Sequence, residues 1–279
     1  MSARGVAPIL AVCLAAGLRA DSALDVHALF EKAAAAMSDR KAAEFLQAFD
    51  SGMKGFGRLR AQVETLLKTN DAESTIEWRK NEGDDQIRSV LLNWRLEITE
   101  RNGAAAVTHR RADIACTLAK KSGKWRIVSF TPQDFFAPPQ AEQAWQVVMT
   151  AAQGLTEAAT DTSANSGDVP AANTSRFMQA FDPALPGYAQ LKDNVLSLEQ
   201  AADIESSVDL VQNDGDDQAR TIVVNWLMSL VAHDTSVAAV QRSETLTCRL
   251  EKRGKEWRIT SLEPRSFFAP PGAGKSPPY

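Results

Sequence analysis

The chain contains one long sequence segment twice. Residues 45–139 align with residues 177–271 at a constant offset and without a gap, and 35 of the 95 aligned pairs are identical. Unrelated segments of ordinary composition would match at roughly one pair in fifteen. Because each copy is long enough to form a complete domain, we interpret the chain as a tandem duplication.

Composition and charge limit the classes of protein that fit this chain. It has 279 residues, of which 44% are hydrophobic and 24% are charged, and its formal net charge is −4. These values suit two packed domains of ordinary size. A mixed, slightly acidic charge balance does not fit a nucleic-acid-binding surface, so we expect no nucleic-acid partner.

The N-terminus has the pattern of a secretory signal peptide. Arg4 precedes an uncharged stretch at residues 5–18, and Leu18-Arg19-Ala20 then offers a cleavage site. We predict a signal peptide over residues 1–20, with a mature chain that is periplasmic or secreted and has no integral membrane association. A segment retained as a membrane anchor is the alternative.

Cleavage there would leave two cysteines at equivalent positions of the copies, Cys116 and Cys248. Equivalent core positions of two separate domains should lie far apart. We therefore expect two free, buried cysteines, although an exported protein can also form a disulfide. Oligomerisation and redox roles remain as further alternatives.

Helical spacing comes first within each copy. Apolar residues in the first copy recur every three or four positions, which predicts one long and two short helices: Val26, Leu29, Phe30, Ala33, Met37; Ala42, Phe45, Leu46, Phe49; Leu59, Val63, Leu66. The first helix of the second copy begins near Ala141. A polar insertion over residues 156–172 is predicted to be a mobile loop.

Alternating apolar residues follow the helices. Between turn signatures at residues 81–85, 102–103 and 121–123, this alternation predicts a four-stranded antiparallel sheet. Helices on one face of such a sheet give an α+β fold. We predict one domain over residues 21–139, a second over residues 140–271 and a disordered tail at residues 272–279.

The segment that opens the last strand adds a family resemblance. Gly123-Lys124-Trp125-Arg126-Ile127 and, less perfectly, Gly254 to Ile259 resemble the nuclear transport factor 2-like superfamily, in tandem copies. The resemblance implies cone-shaped domains in which three helices pack on a curved four-stranded sheet. The superfamily includes ketosteroid isomerase, polyketide cyclases, scytalone dehydratase and binding domains, so fold alone does not choose a function.

The residues needed for catalysis in such a cone are sparse. An isomerase would need a carboxylate base with a tyrosine or acid donor, and the only tyrosines are Tyr188 and Tyr279. The histidines, at positions 27, 109 and 233, do not coincide between the copies. We therefore nominate no catalytic residue and expect no cofactor.

Two arginines occupy equivalent inward positions. Arg110 and Arg242 alternate in phase with the cysteine of their strand, which places them on the face that packs on the helices. An inward charge needs a partner, and Asp50 and Asp182 form the matching acidic pair. We expect either a structural ion pair or recognition of an anionic ligand by these four residues.

Two asparagines suggest an interface. Trp94 and Trp226 should lie in the cores, so the preceding residues, Asn93 and Asn225, point to the opposite face of the sheet. That face is apolar in the second copy, and a sheet that is apolar on both faces is covered on both sides. We predict an intramolecular pseudo-dimer in which the interface includes Asn93, Asn225, Leu91, Val223 and Leu227.

The acidic pairs Asp84-Asp85 and Asp216-Asp217 follow a glycine and fit hairpin turns better than a calcium loop, so we expect no metal site. We expect an exported, non-catalytic binding or interaction protein, whose partner is a small apolar or anionic ligand in the cone or an envelope protein. The alternatives are an isomerase, cyclase or dehydratase-like enzyme, and an envelope scaffold without a small ligand. Cones filled by tryptophan and phenylalanine would favour the scaffold.

Overall fold

A computed structural model gives the backbone of residues 13–101, 106–156, 169–233 and 239–270. Side chains are described from Ser22 onward in the first of these segments and from Thr174 onward in the third. The start of the predicted signal peptide, most of the predicted loop and the predicted tail at residues 272–279 lie outside the described residues. These three assignments stay predictions.

The chain divides into two compact units. The first unit comprises Met1–Arg101 and His109–Pro138, and the second comprises Asn102–Thr108 and Pro139–Tyr279. The main segment of the second unit thus begins one residue before the predicted boundary at residue 140.

The first unit begins with helices and continues with strands. Its elements are α1 (Cys13–Ser38), α2 (Ala42–Leu46), α3 (Phe56–Thr69), β1 (Asn70–Gly83), β2 (Ile87–Glu100), β3 (Val107–Lys121) and β4 (Lys124–Thr131). The strands are ordered β1-β2-β3-β4. No helix in the described part of the chain is long and apolar enough to cross a membrane.

The second unit has the same order of elements. They are α4 (Ala141–Thr156), α5 (Val169–Gln179), α6 (Tyr188–Ala201), β5 (Ala202–Gly215), β6 (Ala219–Ala232), β7 (Val240–Arg253) and β8 (Glu256–Glu263). These strands pair antiparallel in the order β5-β6-β7-β8. The predicted α+β class is confirmed. Helix α5 begins inside the stretch predicted as a loop.

The first hairpin of each sheet has the predicted turn. Asp84 Oδ1 accepts hydrogen bonds from the backbone amides of Gln86 and Ile87 at 2.8 and 2.9 Å, and Asp216 Oδ1 does the same in the second unit. Gly83 has a φ of 140°, and a Cβ atom there would lie 2.2 Å from the carbonyl oxygen of Ile87. The acidic side chain therefore closes a turn that requires glycine.

The predicted second helix of the first unit is too long. Phe49 lies beyond α2 and forms a parallel bridge with Ile127 of β4. The amide of Asp50 donates to the carbonyl of Ile127 at 2.9 Å, and the amide of Ile127 donates to the carbonyl of Ala48 at 2.8 Å. The chain after α2 thereby covers the edge of β4, where unpaired backbone groups would otherwise be exposed.

Candidate functional site

Aromatic side chains fill the space between helices and sheet in the first unit. Trp94 of β2 is 1% exposed, and its indole nitrogen donates to Ser74 Oγ at 2.8 Å. Its ring lies at centroid distances of 5.1 to 6.3 Å from four phenylalanines: Phe30, Phe45, Phe135 and Phe136. These separations are typical of packed aromatic clusters, and they make Trp94 the centre of this core.

The second unit repeats this arrangement. Trp226 is fully buried, and its indole nitrogen donates to Ser206 Oγ at 2.8 Å. Three phenylalanines surround it at centroid distances of 5.2 to 6.5 Å: Phe177, Phe267 and Phe268. Trp125 and Trp257 are each 4% exposed, so these two tryptophans are also buried at equivalent places. The interior of both units is therefore built around equivalent tryptophans.

Arg110 and Arg242 fasten the last segment of each unit. Arg110 Nη1 donates to the carbonyls of Phe135 and Ala137 at 2.6 and 2.7 Å. Arg242 Nη1 donates to Phe267 and Ala269 in the same way, at 2.8 and 2.6 Å. Each arginine thus holds in place the segment that carries two core phenylalanines. These arginines point inward because they help to assemble the core.

The two aspartates expected beside these arginines form their ion pairs with other residues. Asp50 forms its ion pair with Lys121, and Asp182 forms its ion pair with Arg253 at 2.8 Å. A hydrogen bond from the amide of Ala184, together with Arg253, holds the pKa of Asp182 below its usual value. The sequence pattern did not reveal these partners because it does not show which strand end lies beside the loop after α2 or α5.

The asparagines predicted at an interface lie on the outer face of each sheet, opposite the helices. Asn93 is 5% exposed; its Nδ2 donates to Asp113 at 2.7 Å, and its Oδ1 accepts from Arg111 at 2.8 Å. Asn225 is exposed and accepts a hydrogen bond from Thr245 at 2.8 Å. The two asparagines therefore have different local partners.

The apolar residues of the predicted interface lie on the same outer faces. Leu91 and Val223 are half-buried, whereas Leu227 is 42% exposed and Val231, further along β6, is 48% exposed. The outer face of β6 thus carries aliphatic side chains among polar ones. The interface itself stays a prediction.

Each unit also has a surface groove that the sequence pattern did not reveal. The first groove, about 470 Å³ in volume, and the second groove, about 380 Å³, lie at equivalent positions. The lining shared by the two grooves includes, in the first, Leu46, Gln47, Phe49, Phe56, Arg60 and Arg126. The corresponding lining of the second is Met178, Gln179, Phe181, Tyr188, Lys192 and Arg258. Both volumes fall in the range of small-molecule sites.

Glu199 is a buried acid that sequence reasoning missed. It lies in α6, is 5% exposed and accepts a hydrogen bond from Thr174 Oγ1, while its Oε1 has no partner. Burial raises its pKa to about 7. The equivalent residue of the first unit is Leu67, so the only signal was a charged residue at a position where the other copy is apolar.

The cysteines and histidines form no common centre. Cys116 and Cys248 are buried and free, and burial raises the pKa of both thiols to about 12. His27, His109 and His233 lie beside exposed acidic side chains in separate places. Among the side chains that the structure describes, no group of three or more histidine, cysteine or acidic residues is arranged to hold a metal ion.

No protein-family model and no curated protein matches the chain. Several solved structures resemble parts of it. A conserved protein from Planctomyces limnophilus is 11% identical, with a TM-score of 0.38, over 40% of this chain and 94% of that chain.

Two further structures carry fold descriptions. A protein of unknown function with a cystatin-like fold from Nostoc punctiforme is 16% identical, with a TM-score of 0.31, over 38% of this chain and 86% of that chain. An NTF2-like protein involved in plasmid conjugation is 10% identical, with a TM-score of 0.20, over 76% of this chain and 88% of that chain. At these scores the similarity assigns neither a family nor an activity to the chain.

Proposed function

We propose that this protein is an exported, non-catalytic interaction protein built from two nuclear transport factor 2-like domains. The observation that carries the proposal is the equivalent aromatic packing around Trp94 and Trp226. Catalysis or ligand binding inside a cone needs space beside a reactive or polar group. Rings at centroid distances of 5.0 to 5.2 Å occupy the centre of both interiors instead.

The arginines support the same proposal. Arg110 and Arg242 are the inward charges expected to recognise an anionic ligand, and each uses one guanidinium nitrogen to hold two backbone carbonyls. A group that fastens its own chain in this way is a poor recognition element, because ligand binding would compete with core assembly. The enzyme alternative would need another inward acid or base near open space.

We further propose that the two units form an intramolecular pseudo-dimer through the outer faces of their sheets. Exposed aliphatic residues on β6, Leu227 and Val231, support this packing, because burying them removes apolar surface from water. The partner surface is the outer face of the first sheet, which the same chain supplies at high effective concentration.

The filled-core proposal is tested with benzene, which binds apolar cavities of about 150 Å³. Saturating benzene should leave the NMR signals of the Trp94 and Trp226 indole N–H groups in the full-length protein unchanged, because no apolar space is open beside these rings. The variant Trp94→Ala should be stabilised by benzene, and Phe136→Ala serves if that variant does not fold. A shift of either indole signal on addition of benzene to the unaltered protein would contradict the proposal.

The pseudo-dimer is tested by spin labels at Arg95→Cys and Leu227→Cys in the full chain. These residues occupy equivalent outer positions of the two central strands, β2 and β6. Sheets packed face to face lie about 10 Å apart, so the doubly labelled protein should show strong dipolar broadening. Cys116 and Cys248 are buried with pKa values of about 12 and should not be labelled, and Cys13 is replaced by serine before labelling. Spectra without broadening would overturn the arrangement.

A further inference from the structure

The two grooves share an apolar floor and a cationic rim. Phe49 and Phe181, which are 4% and 1% exposed, form the equivalent parts of the floor. Glutamine and arginine recur identically at the rim as Gln47 and Gln179, and as Arg126 and Arg258. An apolar surface beside a few convergent polar groups is the usual composition of a small-molecule site.

The charges of the first groove do not cancel. Arg60 Nε forms an ion pair with Glu64 at 2.8 Å, and Lys121 forms an ion pair with Asp50. Arg126 Nη1 donates to the carbonyl of the preceding residue at 2.9 Å. Among the described residues, no carboxylate lies within ion-pair distance of Arg126. The first groove therefore keeps one cation available to an anion from solution.

The second groove also has one cation without a carboxylate partner, but it is the other member of the equivalent pair. Arg258, the counterpart of Arg126, forms an ion pair with Glu256 at 2.5 Å. Lys192, the counterpart of Arg60, has no carboxylate partner in the part of the chain that the structure describes, because Leu196 stands where the first unit has Glu64. One cation without a carboxylate partner thus remains beside the aromatic floor of each groove, although it comes from opposite walls.

We propose that each groove binds a small amphipathic organic acid. Its carboxylate lies at Arg126 in the first groove and at Lys192 in the second, and its apolar body lies against Phe49 or Phe181. A single available cation suits a monoanion, because a phosphate group would bring a second charge that nothing in the groove neutralises. Apolar surface does lie open in the grooves, at the half-buried rings of Phe56 and Tyr188, and a hydrocarbon body would cover it whereas a bare anion would not.

This site goes beyond the proposed interaction function and does not depend on it. The grooves lie among α2, α3 and β4, and among α5, α6 and β8, so a filled core and a bound acid are compatible. The benzene experiment concerns the core alone, and the titration below concerns the grooves alone. The failure of one proposal can therefore be told from the failure of the other.

The test is an NMR titration of the full-length, isotope-labelled protein with octanoate. Octanoate should shift the amide signals of both grooves and saturate in the millimolar range, as expected for a ligand of ten heavy atoms with one charged contact. Arg126→Gln should weaken binding at the first groove about tenfold or more without affecting the second, and Lys192→Gln should do the reverse.

Three controls make the outcome decisive. Lys54→Gln removes an exposed cation outside the groove linings and should leave both affinities unchanged. Octanol at equal concentration should shift the groove signals far less, which isolates the carboxylate, and inorganic phosphate should not reproduce the octanoate pattern. Absent groove shifts, equal binding of octanol or phosphate, or unchanged binding by the variant carrying both glutamines would each overturn the proposal.

Discussion

The outer face of the first sheet carries a network of charges on its central strand, whereas the central strand of the second sheet presents none there. Arg95 of β2 pairs with Glu77 at 3.5 Å, and Glu97 pairs with His109 at 3.6 Å. The residues equivalent to Arg95 and Glu97 are Leu227 and Ser229 of β6. The inner faces, by contrast, are built around equivalent tryptophans.

This difference follows from what each face must do. An inner position has to fill a fixed volume at the density of an organic crystal, so substitutions there are costly. An outer position faces solvent or a partner, and an exchange of charge for an aliphatic group changes stability little. The duplicated chain therefore has two similar interiors and two different outer surfaces, and the surfaces are where the units can take separate roles.

The largest expected effect concerns the two tryptophans. Trp94→Ala and Trp226→Ala should each destabilise their own unit by about 3–5 kcal/mol, because a buried tryptophan leaves a large cavity. Calorimetric unfolding of the full chain measures both, and Arg95→Ala is the matched surface control. A loss below 1 kcal/mol for either variant would mean that the two interiors are not equivalent.

A smaller loss is expected at the arginines that fasten the last segment of each unit. Arg110→Met and Arg242→Met should each cost about 1–3 kcal/mol, because two carbonyls lose a charged donor. Urea unfolding of these variants measures the loss, and Arg95→Met removes an arginine of the outer face for comparison. Equal effects at all three positions would refute a special role for the inward pair.

The stability of the second unit should depend on pH through Glu199, whereas the equivalent residue of the first unit, Leu67, cannot titrate. Burial raises the pKa of Glu199 from its ordinary value of 4.5 to about 7, so the folded state holds a proton that the unfolded state has lost. Stability contributed by this group therefore falls as the pH rises from about 4.5 to about 7 and stays low above that.

Glu199→Leu copies the residue of the first unit and tests this directly. It should raise the stability of the second unit at pH 8 by about 1 kcal/mol, because it removes a buried charge with an unsatisfied oxygen, and should flatten the profile between pH 4.5 and 7. Glu199→Gln keeps the shape of the side chain but removes its charge, so it serves as the control. A variant that is less stable at pH 8 than the unaltered protein would show that the carboxylate is needed.

The smallest effect is expected on the outer faces. Leu227→Arg transfers the residue of the first unit to the second and should change the free energy of unfolding by less than about 0.5 kcal/mol. The same variant should weaken the proposed contact between the sheets, which the dipolar broadening described above measures. A large loss of stability without a change in dipolar broadening would place Leu227 in the core. It would contradict the assignment of this residue to the outer face of the second sheet.

The sequence predicted the parts of the fold that local chemistry determines. Alternation along β2 and β6 located Trp94 and Trp226, and glycine followed by aspartate located the hairpins at residues 83 and 215. The partners of Arg110 could not be predicted, because its acceptors lie in an irregular segment whose path no periodic pattern describes.

The grooves were missed for a different reason. Exposed arginines and lysines occur on every protein surface, so Arg126 and Lys192 carried no signal individually. The duplication did contain a signal for the grooves, since Gln47 and Arg126 recur identically as Gln179 and Arg258 on the groove walls. Only the structure brings these residues together, because they lie on separate elements.

Hydrogen exchange of the indole N–H groups tests the central claim, filled and equivalent interiors, without altering the protein. The buried Trp94 and Trp226 each donate to the hydroxyl of a half-buried serine at 2.8 Å, whereas Trp78 and Trp145 are themselves only half-buried. NMR of the full-length protein should show slow and similar exchange at Trp94 and Trp226, and faster exchange at the half-buried pair. Exchange at Trp94 or Trp226 as fast as at Trp78 would reveal a water-filled interior and contradict the account.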